Sequence, residues 1–368
     1  TKNNDQFVFN AKAKFKNSKL LIDFLEYEKK ENLDASIEIK GNVKKNNSIN
    51  FDLISSIENN NTILFKNLNL SKDFKLINID SFNFNYLNNK QVKNQLLLKK
   101  INSNYNIVGE SFDATKLINK ILDSDDPNSS LFHNLNSKIT LKINKTYIDE
   151  INFINKLSGV LSFKNNKIDN LNLVSTFPNN KKVNLTVKIN EKKEKITKFF
   201  TDYPKPLIKR YDFINGFEEG FLVYQSVKKD ETSNGLLTIE NFKIREVPSF
   251  AKLLSLASLQ GMADLLTGEG IRFNDFEMKF SNKNKLTTID EMYATGPAVS
   301  ILMDGYIETD KLISLRGTLV PATTINRTIA SIPLLGNILV GKKTGEGVFG
   351  VSFKVKGTPK NLETTVNP

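Results

Sequence analysis

The chain has 368 residues, with 52 Lys and Arg against 40 Asp and Glu for a formal charge of +12, no Cys, no Trp and a single His, His133. With 39% hydrophobic and 25% charged residues it has a globular composition and ample length for a core, while the missing residue types exclude disulfide scaffolds, thiol nucleophiles, Cys or Cys/His zinc sites and two-His metal sites. Only five of the 52 cations are Arg, and the Lys are scattered rather than massed in a stripe, so the charge reads as solvated β faces and not as a nucleic-acid surface.

Taken in chain order, the first half is dominated by period-2 alternation. Ser36 to Lys40, Asn50 to Leu53, Ser81 to Tyr86, Lys138 to Ile143 and Lys182 to Ile189 each place apolar residues on one face and polar residues on the other. Asn-rich breaks at Asn59-Asn60-Asn61, Asn88-Asn89 and Asn165-Asn166 separate these runs, and Asn tolerates the backbone conformations that hairpins demand. The pattern predicts a long antiparallel meander with one greasy face and one wet face. Asp113 is placed to cap a short helix running to about Leu122.

Near residue 200 the composition changes: 15 of the 18 Gly and eight of the 10 Pro lie beyond it. A helix is expected from Pro204 to about Ile214, and a strongly apolar one from Pro248 to Leu266, in which only Lys252 and Asp264 are charged. A further helix near Thr324 to Ala330 leads into the apolar run Ile332 to Val340, and alternation returns at Val351 to Lys356. The apolar segments have three readings: core helices plugging a β-groove, an end-cap that touches lipid chains, or an interfacial membrane helix, the last disfavoured because a basic polar face is missing. No stretch reaches the length of a membrane span. Because the chain starts without Met and in mid-pattern, it reads as a fragment with a targeting or anchoring segment upstream.

Motifs of catalysis are weak. Gly345-Glu346-Gly347-Val348-Phe349-Gly350 matches a dinucleotide fingerprint but runs into a strand instead of opening a helix, and is better read as a tight turn. Gly336 to Lys343 misses a P-loop because Lys343 stands where a hydroxyl should hold magnesium. Gly268-Glu269-Gly270 reads as a turn ending the apolar helix. The carboxylate pairs Asp125-Asp126 and Glu218-Glu219 read as solvated turns, and His133 as a satisfied or exposed imidazole.

One resemblance spans about residues 202 to 368. The run Gly235 to Ile244, then Val247-Pro248 and Leu266 to Phe273, resembles the C-terminal region of large AsmA-like proteins of the YhdP type. Ala294 to Ala298, Gly305-Tyr306-Ile307, Arg316 to Ala322, Asn326, Ile332 to Leu339 and Val366-Asn367-Pro368 follow in the family's order. Weaker echoes lie upstream at Gly109 to Ala114 and Ile49 to Leu53. The resemblance implies a bacterial envelope protein, anchored in the inner membrane through a segment outside this chain and reaching into the periplasm. It also implies an extended, curled β-sheet forming a hydrophobic groove for phospholipid acyl chains, with no catalytic residues and no cofactors.

The expected organisation is therefore mainly β. Residues 1–110 form a β-meander belonging to the groove, 111–200 a short helix and further groove strands, and 201–368 the AsmA-like region with apolar helices 248–266 and 324–340. About twenty strands spaced roughly 4.8 Å apart would extend on the order of 100 Å. Sheltering acyl chains there gains about 0.8 kcal/mol per CH₂ without any chemistry. Expected lipid contacts are Phe250, Leu253, Leu254, Leu256, Leu259, Met262, Leu265, Phe273, Leu334, Leu335, Ile338, Leu339 and Phe353. The expected function is non-enzymatic phospholipid transport between inner and outer membranes, with envelope proteins as further partners and no nucleic acid. The alternative is a periplasmic scaffold or assembly factor for outer-membrane proteins, binding through open sheet edges; a degradative envelope enzyme is disfavoured for want of a paired-carboxylate pocket.

Overall fold

A computed structural model describes residues 2–3, 6–44, 48–118, 135–208, 215–246, 270–309, 311–321, 350–359 and 361–367. The chain is mainly β and divides into two compact units, Thr1–Lys188 and Ile189–Pro368. Each unit is an open sheet: among the described residues no pairing joins the first ladder strand of either unit to its last.

In the first unit β1 (Lys2–Asn3) pairs with one end of β2 (Gln6–Phe15). The ladder then runs through β5 (Ala35–Lys44), β6 (Ile49–Glu58), β7 (Asn61–Leu70), β9 (Ser81–Leu87), β10 (Lys93–Ile101) and β11 (Asn104–Asp113). It continues through β12 (Ser137–Tyr147), β13 (Phe153–Lys164), β14 (Lys167–Thr176) and β15 (Lys182–Ile189). The short strands β3 (Leu20–Ile22) and β4 (Tyr27–Lys29) form a separate ribbon joined by a single 3₁₀ turn, and β8 (Leu76–Asn78) adds to the end of β7.

Alternation generates these strands and asparagine turns them. Asn59, Asn165 and Asn166 lie at hairpin ends with φ of 49, 50 and 65°, the left-handed region that Asn reaches at little cost. One pair departs from the antiparallel expectation: β11 and β12 are parallel, so this sheet is mixed. A parallel neighbour needs a crossover of a dozen residues or more, and the connection 114–136 provides it. Residues 115–118 open that crossover as a helix; the cap position falls on Ala114, one residue later than expected, and Asp113 Oδ1 still accepts a hydrogen bond from the Thr115 N–H at 3.0 Å.

The second unit is wholly antiparallel and consecutive: β16 (Lys195–Thr201), β17 (Asn215–Lys229), β18 (Thr232–Glu246), β19 (Ile271–Lys283), β20 (Leu286–Thr295), β21 (Val299–Glu308), β22 (Leu312–Pro321), β23 (Val351–Thr358) and β24 (Asn361–Asn367). A short helix, Lys205–Ile208, follows Pro204, the predicted starting point. The connections 202–214, 247–270, 296–298 and 322–350 all leave from one end of the strands, and the hairpin turns occupy the other. The core gathers at the connection end, where Ile271, Phe273, Val299 and Leu319 are buried.

A slip of phase builds that core. In β18 the inward residues are Leu237 and Ile239 up to Asn241, and Phe242 and Ile244 after it; all four belong to one cluster. Asn241, at φ 54°, makes the turn of phase, and Gly220 at φ 78° makes it on β17, so the two strands bend together with no change of register. A Cβ on Gly220 would lie 2.9 Å from the Glu240 carbonyl oxygen and from Phe242 Cβ. Gly220→Val is therefore expected to lower stability by at least about 1–2 kcal/mol from the backbone conformation alone. A urea midpoint equal to that of the unaltered protein would show that the bend is dispensable.

Candidate functional site

Strand register decides what each sheet face presents, because directly paired residues point to the same side. In the second unit one cross-strand row runs Phe199, Tyr224, Leu237, Met278, Met292, Met303, Gly317, Phe353 and Val366, nine strands without a charged or amide side chain. Eight strand spacings make that row roughly 40 Å long. Toward the connection end the next row is Thr201, Leu222, Ile239, Phe276, Ala294, Ile301, Leu319 and Val351, of which Thr201 and Leu319 are fully buried. Phe199, Tyr224, Leu237, Met278, Met292 and Met303 are only half-buried. They form an apolar surface beside a closed core.

Three of the chain's four Met fall in this one row, at the same level of three successive strands. Methionine is unbranched and adaptable, suited to a surface that repacks against varied apolar partners. Gly317 lies between Met303 and Phe353 and gives them room: a Cβ there would be 2.8 Å from Met303 Cγ and from Phe353 Cζ.

The opposite face is ionic. Arg316 pairs with Asp304 at 2.8 Å, and Lys279 with Glu277 at 3.1 Å and Glu291 at 3.4 Å, all exposed enough to contribute solubility more than stability. Near the bend, Glu219 accepts two hydrogen bonds from Arg272, at 2.9 and 3.2 Å, and the guanidinium holds its carboxyl below the usual range. Glu218 pairs with Arg245 at 3.0 Å and Lys205 at 3.8 Å. The carboxylate pair noted in the sequence is thus divided between two sets of cations.

The first unit repeats the arrangement with different residues. Ala11, Ile39, Ile54, Phe65, Phe82, Leu98, Ile107, Leu141, Gly159, Leu173 and Leu185 form an apolar row through eleven strands, roughly 50 Å in extent. Here a ribbon covers part of the face: Leu25 and Tyr27 pack on Ile63, Phe84, Tyr86, Leu96 and Ile143. Polar contacts hold the ribbon down. Tyr27 donates to Glu58, and burial followed by that carboxylate pushes the phenol up; Tyr86 donates to the Leu25 carbonyl at 3.0 Å. Lys29, with no exposed surface, donates to the Lys16 and Ser18 carbonyls at 2.5 and 2.7 Å and lies 5.0 Å from the Phe15 ring centroid.

Two hollows lie on the polar faces. One of about 440 Å³ is lined by Asn83, Leu97, Val108 and Lys142 among others, and one of about 180 Å³ by Thr238, Glu240, Asp275, Glu277 and Tyr293. Among the described residues no group of three or more His, Cys, Asp or Glu is placed to hold a metal ion, and no helix is long and apolar enough to cross a membrane.

Of the contacts expected from sequence, Phe273 and Phe353 are described, and the structure brings them into one cluster at 3% and 6% exposure. Phe250, Leu253, Leu254, Leu256, Leu259, Met262, Leu265, Leu334, Leu335, Ile338 and Leu339 lie outside the described residues, as do His133, Asp125-Asp126 and the Gly336 to Gly347 motifs. The half-buried row through Met278, Met292 and Met303 was missed. Its signal was present: a scarce residue type recurring at inward positions of alternating runs. Compared with family models, curated proteins and solved structures, the chain matches none.

Proposed function

We propose that this protein carries phospholipid acyl chains along the apolar face of an open β-sheet, without chemistry, as a periplasmic bridge of the AsmA-like kind between inner and outer membranes. The observation that carries the proposal is the continuous apolar row from Phe199 through Tyr224, Leu237, Met278 and Met292 to Met303, half-exposed on a sheet whose other face is ionic. An isolated apolar surface of that length would favour aggregation in water, so it needs a partner that is itself apolar. An acyl chain fits because it is narrow, flexible and tolerant of register, and because each CH₂ transferred gains about 0.8 kcal/mol. Half-exposed along six successive strands, the row offers no site within that stretch at which a chain must stop. In this reading the ordered run of AsmA-like segments across residues 202–368 and the sheet face point the same way.

The reading is tested on the purified protein by organic extraction with mass spectrometry, together with a photoreactive residue at Met292 or Met303. Co-purified phospholipid and crosslinks to it are expected. A lipid-free protein with no crosslink from either position rules the carrier out, and a co-purified β-barrel protein in place of lipid establishes the assembly-factor alternative.

A further inference from the structure

The apolar face of the second unit ends at a polar row near the hairpin turns. Lys195 is paired with Lys228, Lys228 with Ser233, Ser233 with Asn282 and Asn282 with Thr287, before the row becomes apolar at Ile307 and Ile313. Lys195, Lys228, Ser233 and Asn282 are each four positions along their strands from the methionine row, so they point to the greasy side; Thr287 is five from Met292 and joins them through its pairing with Asn282, the register shift between Ile289 and Met292 absorbing the odd residue. The order along the strands is core, methionine row, a mixed row of Thr197, Ser226, Gly235 and Phe280, and then the lysines.

Two lysines directly opposed on adjacent strands repel each other, an arrangement that costs stability unless something negative lies between them. Nothing in the described residues supplies it: neither ammonium makes an ion pair or side-chain hydrogen bond, and the nearby Glu194 is engaged with Asn190 at 2.8 Å. Lys195 is also partly withdrawn from water, and that burial, with Lys228 adding to it, holds its ammonium below the ordinary lysine range. Ser233 supplies a hydroxyl beside the pair, and Asn282 donates to Thr287 at 3.0 Å farther along. Cations and neutral donors in one row, bordering an apolar surface, match the chemistry of a phosphate on a hydrocarbon tail.

We propose that Lys195 and Lys228 bind the phosphate headgroup of an anionic amphiphile whose acyl chain runs from them across Phe280 and the methionine row toward the buried end. This inference rests on the carrier reading and names its ligand class. The dimensions agree: the seven residues from Lys195 to Thr201 span roughly 20 Å of strand, against about 15 Å for the acyl layer of one leaflet. The headgroup stays at the rim in contact with water while the tail lies in the trough. Displacement along the rows then leaves the headgroup on the same side.

The experiment titrates the full chain with dodecyl phosphate, dodecyl maltoside and inorganic phosphate below micellar concentrations, for the native protein and for Lys195→Gln/Lys228→Gln. Dodecyl phosphate is expected to bind the native protein about tenfold or more tighter than either other probe. The double variant is expected to lose that advantage while its affinity for dodecyl maltoside is unchanged. Should the double variant not fold, Lys228→Gln alone, at an exposed position, serves the same comparison. A phosphate preference that survives the substitutions overturns the headgroup site and leaves the carrier reading intact. Inorganic phosphate binding as tightly as dodecyl phosphate overturns the amphiphile and leaves a bare anion site. If neither amphiphile binds the native protein, the carrier reading itself fails.

Discussion

Met292→Glu should reduce the phospholipid recovered from the purified protein by tenfold or more, and Met292→Leu should leave it unchanged. Met292 lies at the middle of the half-exposed row, with Met278 and Met303 as its cross-strand neighbours. A carboxylate there is solvated when the face is empty and must be stripped of water, or protonated, when an acyl chain lies over it. The loss therefore falls on binding more than on folding. Leucine keeps volume and polarity, and swaps of that kind usually cost less than about 1.5 kcal/mol even in closed cores. Extraction with quantitative mass spectrometry reads the result, and equal lipid in the Glu and Leu variants would show that chains do not use this row.

Phe242→Ala is expected to give the largest loss of stability. The ring is 3% exposed and stacks between Phe217, at 5.4 Å and 13°, and Phe273, at 5.2 Å and 16°, with Phe276 edge-on at 6.5 Å. These partners come from β17 and β19, so the ring, itself on β18, ties three strands together beside the bend. Removing a buried aromatic ring typically costs about 3–5 kcal/mol, from lost transfer energy and from the cavity left behind. The check is amide hydrogen exchange: protection in β17 to β19 should fall by about two orders of magnitude or more, at 1.4 kcal/mol per factor of ten. Unchanged exchange would mean that the aromatic stack does not hold these strands.

The two predictions divide the apolar face by burial. Phe242 belongs to the closed end, where the ring partners are protein, and Met292 to the stretch where protein partners run out. The same division assigns Phe273 to the closed core and Phe353 to the part of the row that protein already covers, although their hydrophobicity alone made them equal to the half-exposed residues as candidates for lipid contact.

The strands were legible. The alternation at Lys182 to Ile189 is β15, that at Ser81 to Tyr86 falls in β9 and that at Val351 to Lys356 in β23, because a period of two is visible to any reader of the chain. The asparagine breaks marked hairpin ends for equally local reasons: Asn59, Asn165 and Asn166 take a positive φ, and the Asn88 side chain accepts hydrogen bonds from the Lys90 and Val92 N–H groups of its own turn. The helix start beside Asp113 was local too, since the hydrogen bond Asp113 accepts comes from two residues away. By contrast, the parallel pairing of β11 with β12 depends on a connection of 23 residues returning to the same end of the sheet, which alternation does not encode.

The register is where tertiary structure takes over. Sequence tells which residues of one strand share a face, but not which residue of the next strand stands opposite, because register depends on turn geometry and bulges. Lys195 beside Lys228 and Met292 beside Met303 are facts of register, and both candidate sites consist of such pairs. The bend at Asn241 is a fact of backbone conformation instead: it turns Phe242 toward the cluster that Ile239 also joins while the register stays constant. Composition and alternation by themselves determined that this protein would be a mainly β structure with a wet side and a greasy one. Only the packed sheet decided which part of that side is already covered by protein, which part is left for something else, and where two lysines stand at its rim. Hydrophobicity is a property of a residue, whereas exposure and charge pairing are properties of neighbours, and neighbours across a sheet are fixed only when the strands dock.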